Sequence, residues 1–123
     1  ACTDITGFGL IGHLTEIAVG SDATLVIVAG AVPLLRGVTE LVAANGSGGM
    51  STNRAHFSPT SDLSGLSKDL ADLFFDPQTS GGLLAAVDRH SAAAVLDGLA
   101  RRGVSAAIVG EVRPPSAFRV VIA

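Results

Sequence analysis

The opening run Ala1-Cys2-Thr3-Asp4-Ile5-Thr6-Gly7-Phe8-Gly9-Leu10-Ile11-Gly12-His13-Leu14 constrains this chain more than any other stretch. It sets an acid, hydroxyls and glycines at the mouth of a helix. From Leu10 the apolar residues Leu10, Ile11, Leu14, Ile17 and Ala18 recur at the spacing of one helix face, and Gly20 is a natural stop, so a helix is expected over Thr6–Val19. The first N–H groups of a helix lack internal acceptors and carry partial positive charge, so anions bind there. Asp4, just ahead of the turn, is placed to hold a divalent cation that a phosphate also touches, since magnesium-type ions take oxygen ligands and few carboxylates. A plainer role suits the same residues: Asp4 or Thr6 caps the helix and the glycines relieve crowding.

At about 100° per residue, Phe8, Gly12, Thr15 and Val19 fall on the side of this helix away from the core stripe. A glycine in a helix interior costs about 1 kcal/mol relative to alanine, which a close-approaching neighbour would justify. The second face is therefore expected to pack on another domain or another chain. The chain opens inside a motif, and residues 1–123 are expected to be a single C-terminal domain of something longer.

The chain after Gly20 alternates apolar strands with helical periodicity. Ala23–Val28 is a β-branched run with the look of a buried strand. Pro33 opens a second helix with Leu34, Leu35, Val38, Leu41 and Val42 on one face, ending at Asn45-Gly46. Asn45–Ser64 is polar and without periodicity, so a long loop is expected. Within it Ser47-Gly48-Gly49-Met50-Ser51-Thr52-Asn53 offers N–H groups and hydroxyls to an anion, as glycine-rich nests do, or is simply a surface loop. A short helix over Ser67–Phe74 ends at Phe75-Asp76-Pro77. Leu83–Val87 is expected as a second buried strand, and a helix capped by Asp88 or Ser91 as placing Ala92, Val95, Leu96 and Leu99 in the core before Gly103. Ser105–Val112 and Phe118–Ile122 are expected to form an antiparallel hairpin. The sum is an α/β (α+β) domain: a two-layer sandwich with one mixed sheet of about four strands covered by helices.

Composition narrows the function. The chain of 123 residues is 48% apolar and only 15% charged, with net charge −3 and no basic run, which argues against nucleic acid or an anionic membrane as partner. Ala23–Val32 is too short and too interrupted to span a bilayer. A single cysteine allows no intrachain disulfide, so a cytoplasmic location is expected. Cys2 has no neighbouring histidine or lysine and is expected to be a small buried residue rather than a nucleophile. His13 flanks the core stripe, while His56 and His90 lack zinc-ligand spacing. Gly7-Phe8-Gly9-Leu10-Ile11-Gly12 spells GxGxxG, a weak match because no upstream strand is visible in the sequence. Asp76-Pro77-Gln78-Thr79-Ser80-Gly81-Gly82 is a second site-like stretch or a tight turn.

Taken together, Ala1–Leu14 and Phe75-Asp76-Pro77-Gln78-Thr79-Ser80-Gly81-Gly82-Leu83-Leu84 resemble the C-terminal domain of the selenophosphate synthetases, or selenide, water dikinases. That family shares its fold with aminoimidazole ribonucleotide synthetase, thiamine-monophosphate kinase and the hydrogenase-maturation dehydratase. The resemblance implies a two-domain phosphotransferase that converts ATP, selenide and water to selenophosphate, AMP and phosphate with magnesium (Mg2+). Its N-terminal domain holds most of the ATP site, a catalytic loop with cysteine or selenocysteine and lysine, and the homodimer contact. Asp4 matches a family metal-ligand position. Thr6, Gly7 and Gly9 would line the same cleft, joined by Gly48, Gly49 and Asn53 of the glycine-rich segment, and no catalytic residue falls in this chain, which alone should be inactive. Cys2 does not match the family's catalytic cysteine. Where the family commonly has Pro-Gly-Gly-Thr-x-x-Asn, this chain has Met50 in place of the threonine. A sister ATP-dependent synthetase or kinase, or a non-catalytic binding or oligomerisation domain, stays open as an alternative.

Overall fold

A computed structural model describes all residues 1–123. Four strands form a mixed sheet in the order β3 (Ser61–Asp62), β6 (Val120–Ile122), β2 (Thr24–Ile27) and β5 (Gly110–Arg113). β6 runs parallel to both β2 and β3, and β5 runs antiparallel to β2. A separate two-stranded ribbon joins β1 (Cys2–Asp4) to β4 (Leu83–Ala85), antiparallel, with Asp4 opposite Leu83. Helices α1 (Gly9–Gly20), α3 (Gly48–Phe57) and α4 (Lys68–Phe75) pack on one another, and α1 lies against β2 and β6. The core they enclose contains Ile11, Leu14, Leu25, Ile27, Phe57, Phe74, Phe75, Val120 and Ile122, all buried. Each such side chain contributes about 1.5–3 kcal/mol on leaving water. This is the expected α/β class with a four-stranded mixed sheet. No helix is long and apolar enough to cross a membrane.

The final pair of strands is not a hairpin. β5 and β6 lie on opposite sides of β2, so the chain must cross the start of β2 between them. Thr24 directs that crossing: its hydroxyl accepts from Ser116 N (2.9 Å) and donates to the Phe118 carbonyl (2.8 Å). Placing β6 centrally lets Val120 and Ile122 face the helices, where they are fully buried, a burial that an edge hairpin would forfeit.

The stretch expected to be a loop over residues 45–64 holds α3, a 3-10 turn at Ser58–Thr60 and β3. Ser47 caps α3, its Oγ accepting from Met50 N at 3.0 Å. Met50, Asn53 and Phe57 are its buried positions, at helical spacing, but one of the three is an amide. That polar member hid the period. The second helix is shorter than expected, α2 (Val38–Val42), because Gly37 adopts a left-handed φ of 81° immediately before it; Leu34 and Leu35 are exposed. β4 is a short, exposed strand rather than a buried one, with Leu83 79% exposed. α5 (Ala92–Ala100) buries no residue, contrary to the expected core face of Ala92, Val95, Leu96 and Leu99. Cys2 is likewise exposed, because β1 sits in the ribbon and not in the main sheet.

α1 begins at Gly9, three residues later than its pattern suggests. Gly9 has a φ of 67°, and a Cβ there would meet the Phe74 and Phe75 carbonyl groups at 2.8–2.9 Å. The chain therefore turns at residues 6–9, closed by Gly9 N donating to Thr6 O at 3.0 Å, before the helix starts. The second face of α1 is divided. Gly12 and Thr15 are buried within this chain, where a Cβ on Gly12 would lie 2.4 Å from the Phe8 Cβ and 2.8 Å from the ring of Phe57 on α3. Phe8 and Val19 are about half exposed.

Candidate functional site

Three segments that are remote in sequence meet at the corner where the ribbon feeds α1. The first is Asp4–Gly9. The second is the 76–82 turn, which leaves α4 and enters β4. Ile5 N donates to Gly82 O at 2.8 Å, extending the ribbon by one rung, and Gln78 N donates to Thr6 O at 3.0 Å. Gly81 is required by this contact: a Cβ would sit 1.9 Å from the Ile5 carbonyl oxygen, where no side chain fits. The third segment is the start of α3. Ser47 Oγ donates to Asp76 Oδ1 at 3.2 Å, and Gly49 lies against Pro77, whose ring would stand 2.7 Å from a Cβ.

Asn53 ties all three together. It is buried, and its amide nitrogen donates to Gly7 O and to Phe75 O, both at 2.9 Å. Those two carbonyls belong to the turn before α1 and the last residue of α4, so one side chain sets their separation. A second brace lies beneath. Asp72, on α4 and nearly buried, takes hydrogen bonds from Arg54 of α3 and Lys68, while the Arg54 guanidinium stands 4.9 Å from the Phe75 ring centre. Burial pushes the Asp72 carboxyl up, but the hydrogen bonds from Lys68 and Arg54 outweigh it and hold the group below the usual carboxylate range.

The residues singled out in the sequence are thus brought together: Asp4, Thr6, Gly7 and Gly9 on one segment, Gly48, Gly49 and Asn53 on another. Their surroundings separate them. Asp4, Gly7, Gly48 and Gly49 are exposed and Thr6 is half-exposed, whereas Gly9 and Asn53 are buried against the chain itself. Gly7, Gly48 and Gly82 have open space where a Cβ would stand, unlike Gly9 and Gly81, so nothing within the chain demands glycine there. Met50 points into the core at 8% exposure, which makes that position a packing one. Three participants carry no individual role in the sequence: Ser47 and Gln78, which lie inside the two glycine-rich stretches but whose contacts are 29 and 72 residues away, and His13, which accepts from Thr6 N at 3.0 Å.

The donor set suits a shared cation and not a closed metal cage. No group of three or more histidine, cysteine, aspartate or glutamate side chains is assembled anywhere in the chain. Asp4 is a single exposed carboxylate, which matches a hard cation that completes its shell with phosphate oxygens and water.

The AIR synthase related protein, C-terminal domain, family profile matches residues 1–123. The chain belongs to this family. Among its relatives are selenide, water dikinases of Geobacter metallireducens (46% identical over 125 residues, covering 100% of this chain and 36% of the relative), Trichlorobacter lovleyi (40% over 124 residues, 99% and 36%) and Nitratidesulfovibrio vulgaris (46% over 122 residues, 94% and 33%). The resemblance drawn from the two motifs therefore extends along the whole chain. This AIR synthase related domain spans about a third of the length of those relatives.

Proposed function

We propose that this domain forms one wall of the ATP and metal cleft of a selenophosphate synthetase, a phosphotransferase acting on ATP, selenide and water. The observation that carries the reading is the convergence of residues 4–9, 47–53 and 76–82 on one corner, held by Asn53 and edged by the exposed Asp4 carboxylate. Phosphoryl transfer is catalysed chiefly by positioning and by neutralising charge on the transferring oxygens. Magnesium would supply that neutralisation when bound. Asp4 holds the cation, Thr6 faces it, and the N–H groups of Gly7, Gly48 and Gly49 face the phosphate oxygens. The bare flanks of Gly7 and Gly48 leave room for a ligand to reach the backbone. Gly9 and Asn53 act from behind, fixing the turn that presents these groups.

In this reading the chain works only with the rest of the protein, an N-terminal domain that carries most of the ATP site and the homodimer contact, in the cytoplasm. Asp4→Asn in the full-length protein tests it. Selenide-dependent release of AMP from ATP should fall by about 100-fold or more, with an unchanged melting curve. Near-normal turnover would return Asp4 to a role in the ribbon alone.

A further inference from the structure

Helices α3 and α4 border a cavity of about 310 Å3, lined by Met50, Ser51, Arg54 and Ala55 of the first and Lys68 and Asp72 of the second. Two cations share one carboxylate there: Arg54 Nη2 donates to Asp72 Oδ1, and Lys68 Nζ donates to Asp72 Oδ2 at 2.5 Å. Both carboxylate oxygens are thus covered, and the three ionised side chains sum to one positive charge. Neither cation is used up. A guanidinium has five N–H groups and an ammonium three. Arg54 gives one of its five to Asp72 and makes no other hydrogen bond within the chain; its Nε is buried without an acceptor, whereas Nη1 is open to solvent. Lys68 gives one of its three, from a side chain that is 81% exposed. The hydroxyl of exposed Ser51, one helical turn before Arg54 and Ala55, has no partner in the chain either.

A cavity whose unused groups are donors, and whose net charge is positive, calls for an acceptor. An orphaned buried N–H in a folded protein is itself a mark of a missing ion or water. Bonds from guanidinium and ammonium groups to an oxyanion are the strong, charge-assisted kind. A carboxylate offers two oxygens, whereas a phosphoryl group offers three around a tetrahedron, enough to serve Arg54, Lys68 and Ser51 together. Asp72 opposes such a ligand little, because both its oxygens already face cations. The volume matches the lower end of small-molecule sites, about 300 Å3, and Met50 and Ala55 give it an apolar wall. We propose that this α3–α4 seam binds a phosphoryl oxyanion, as free phosphate or as the phosphate of a small phosphorylated molecule, through Arg54, Lys68 and Ser51. None of the three is a residue given a cation or phosphate contact at the Asp4 corner, and the site does not rest on that reading.

Lys68, the only lysine in this sequence, reports on the site directly. In the full-length protein, its acetylation by N-hydroxysuccinimidyl acetate, read by peptide mass spectrometry, should slow by about tenfold in saturating inorganic phosphate relative to chloride of equal ionic strength. Arg54→Gln should abolish that protection. Ser51→Ala, which leaves both ion pairs in place, should raise the phosphate concentration needed for it by roughly threefold, with an unchanged melting curve. Glycerol phosphate protecting at lower concentration than inorganic phosphate would identify a phosphorylated molecule as the ligand; the reverse order would identify free phosphate. Equal acetylation in phosphate and chloride overturns the site, as does protection that survives Arg54→Gln. Acetate matching phosphate overturns the choice of a phosphoryl group. Asp4→Asn should keep the protection: its loss there would move the phosphate to the corner and overturn a separate site, whereas an unprotected Lys68 in the parent leaves the reading of Asp4 standing.

Discussion

Helices α4 and α5 differ by one residue in length and by almost everything else. α4 buries Ala71, Asp72, Leu73, Phe74 and Phe75, including a charged group; α5 buries nothing, although apolar residues make up most of it. The contrast extends along the chain, for no residue between Phe75 and Val120 is buried. What separates the two is company. α4 is wedged against α1, α2 and α3 and ends on the carbonyls that Gly9 and Asn53 grip. α5 contacts chiefly the 3-10 turn that precedes it, and that turn is tied to β5 by an exposed Arg89–Glu111 ion pair of 2.9 Å. Apolar composition therefore measures what a helix can bury, and position decides what it does bury.

Mutations can break or sharpen this comparison. The largest effect is expected at Phe75, which has no exposure and lies under the Arg54 guanidinium: Phe75→Ala should lose about 3–5 kcal/mol in urea unfolding. An intermediate effect is expected at Asp72, where Asp72→Asn removes the charge that Arg54 and Lys68 share and should cost about 1–3 kcal/mol at pH 7. The difference should be pH-dependent. The folded-state carboxyl lies below its ordinary value, so its contribution is complete above about pH 4, the unfolded value, and is lost as pH falls through the folded one. Urea curves of the parent and Asp72→Asn should thus converge in acid; a constant gap down to pH 2 would show that the charge is not what stabilises. The smallest effect belongs to α5. Val95, 40% exposed, should tolerate alanine within about 0.5 kcal/mol. A loss above about 1 kcal/mol would show that α5 packs more firmly than its exposure indicates.

Much of the fold was legible where pattern and burial agree. α1, β2 and α4 follow their apolar spacing to within a few residues, and the class and four-stranded sheet follow from their alternation. α3 escaped because Asn53 occupies a core position, and an amide earns that place only through two carbonyls that come from elsewhere in the chain. The sequence of β5 and β6 reads as a hairpin because adjacent strands usually pair; the Thr24 hydroxyl, which directs the crossing, has no local signature. In the site the residue types were visible as motifs but their relation was not. Nothing in Asp76–Gly82 announces that Gly81 must lie against Ile5.

By itself the sequence determined the elements that depend on short-range physics: the apolar stripes, the start of α4 near Ser67, the Asp76-Pro77 stop and the glycine-rich turn behind Asp4. Only the tertiary structure decided which apolar faces are covered, that three motifs form one corner, and that His13 accepts from the Thr6 backbone N–H. The reason is physical: helical spacing and capping act within a few residues, whereas burial and hydrogen-bond polarity depend on partners that only the folded chain brings into reach.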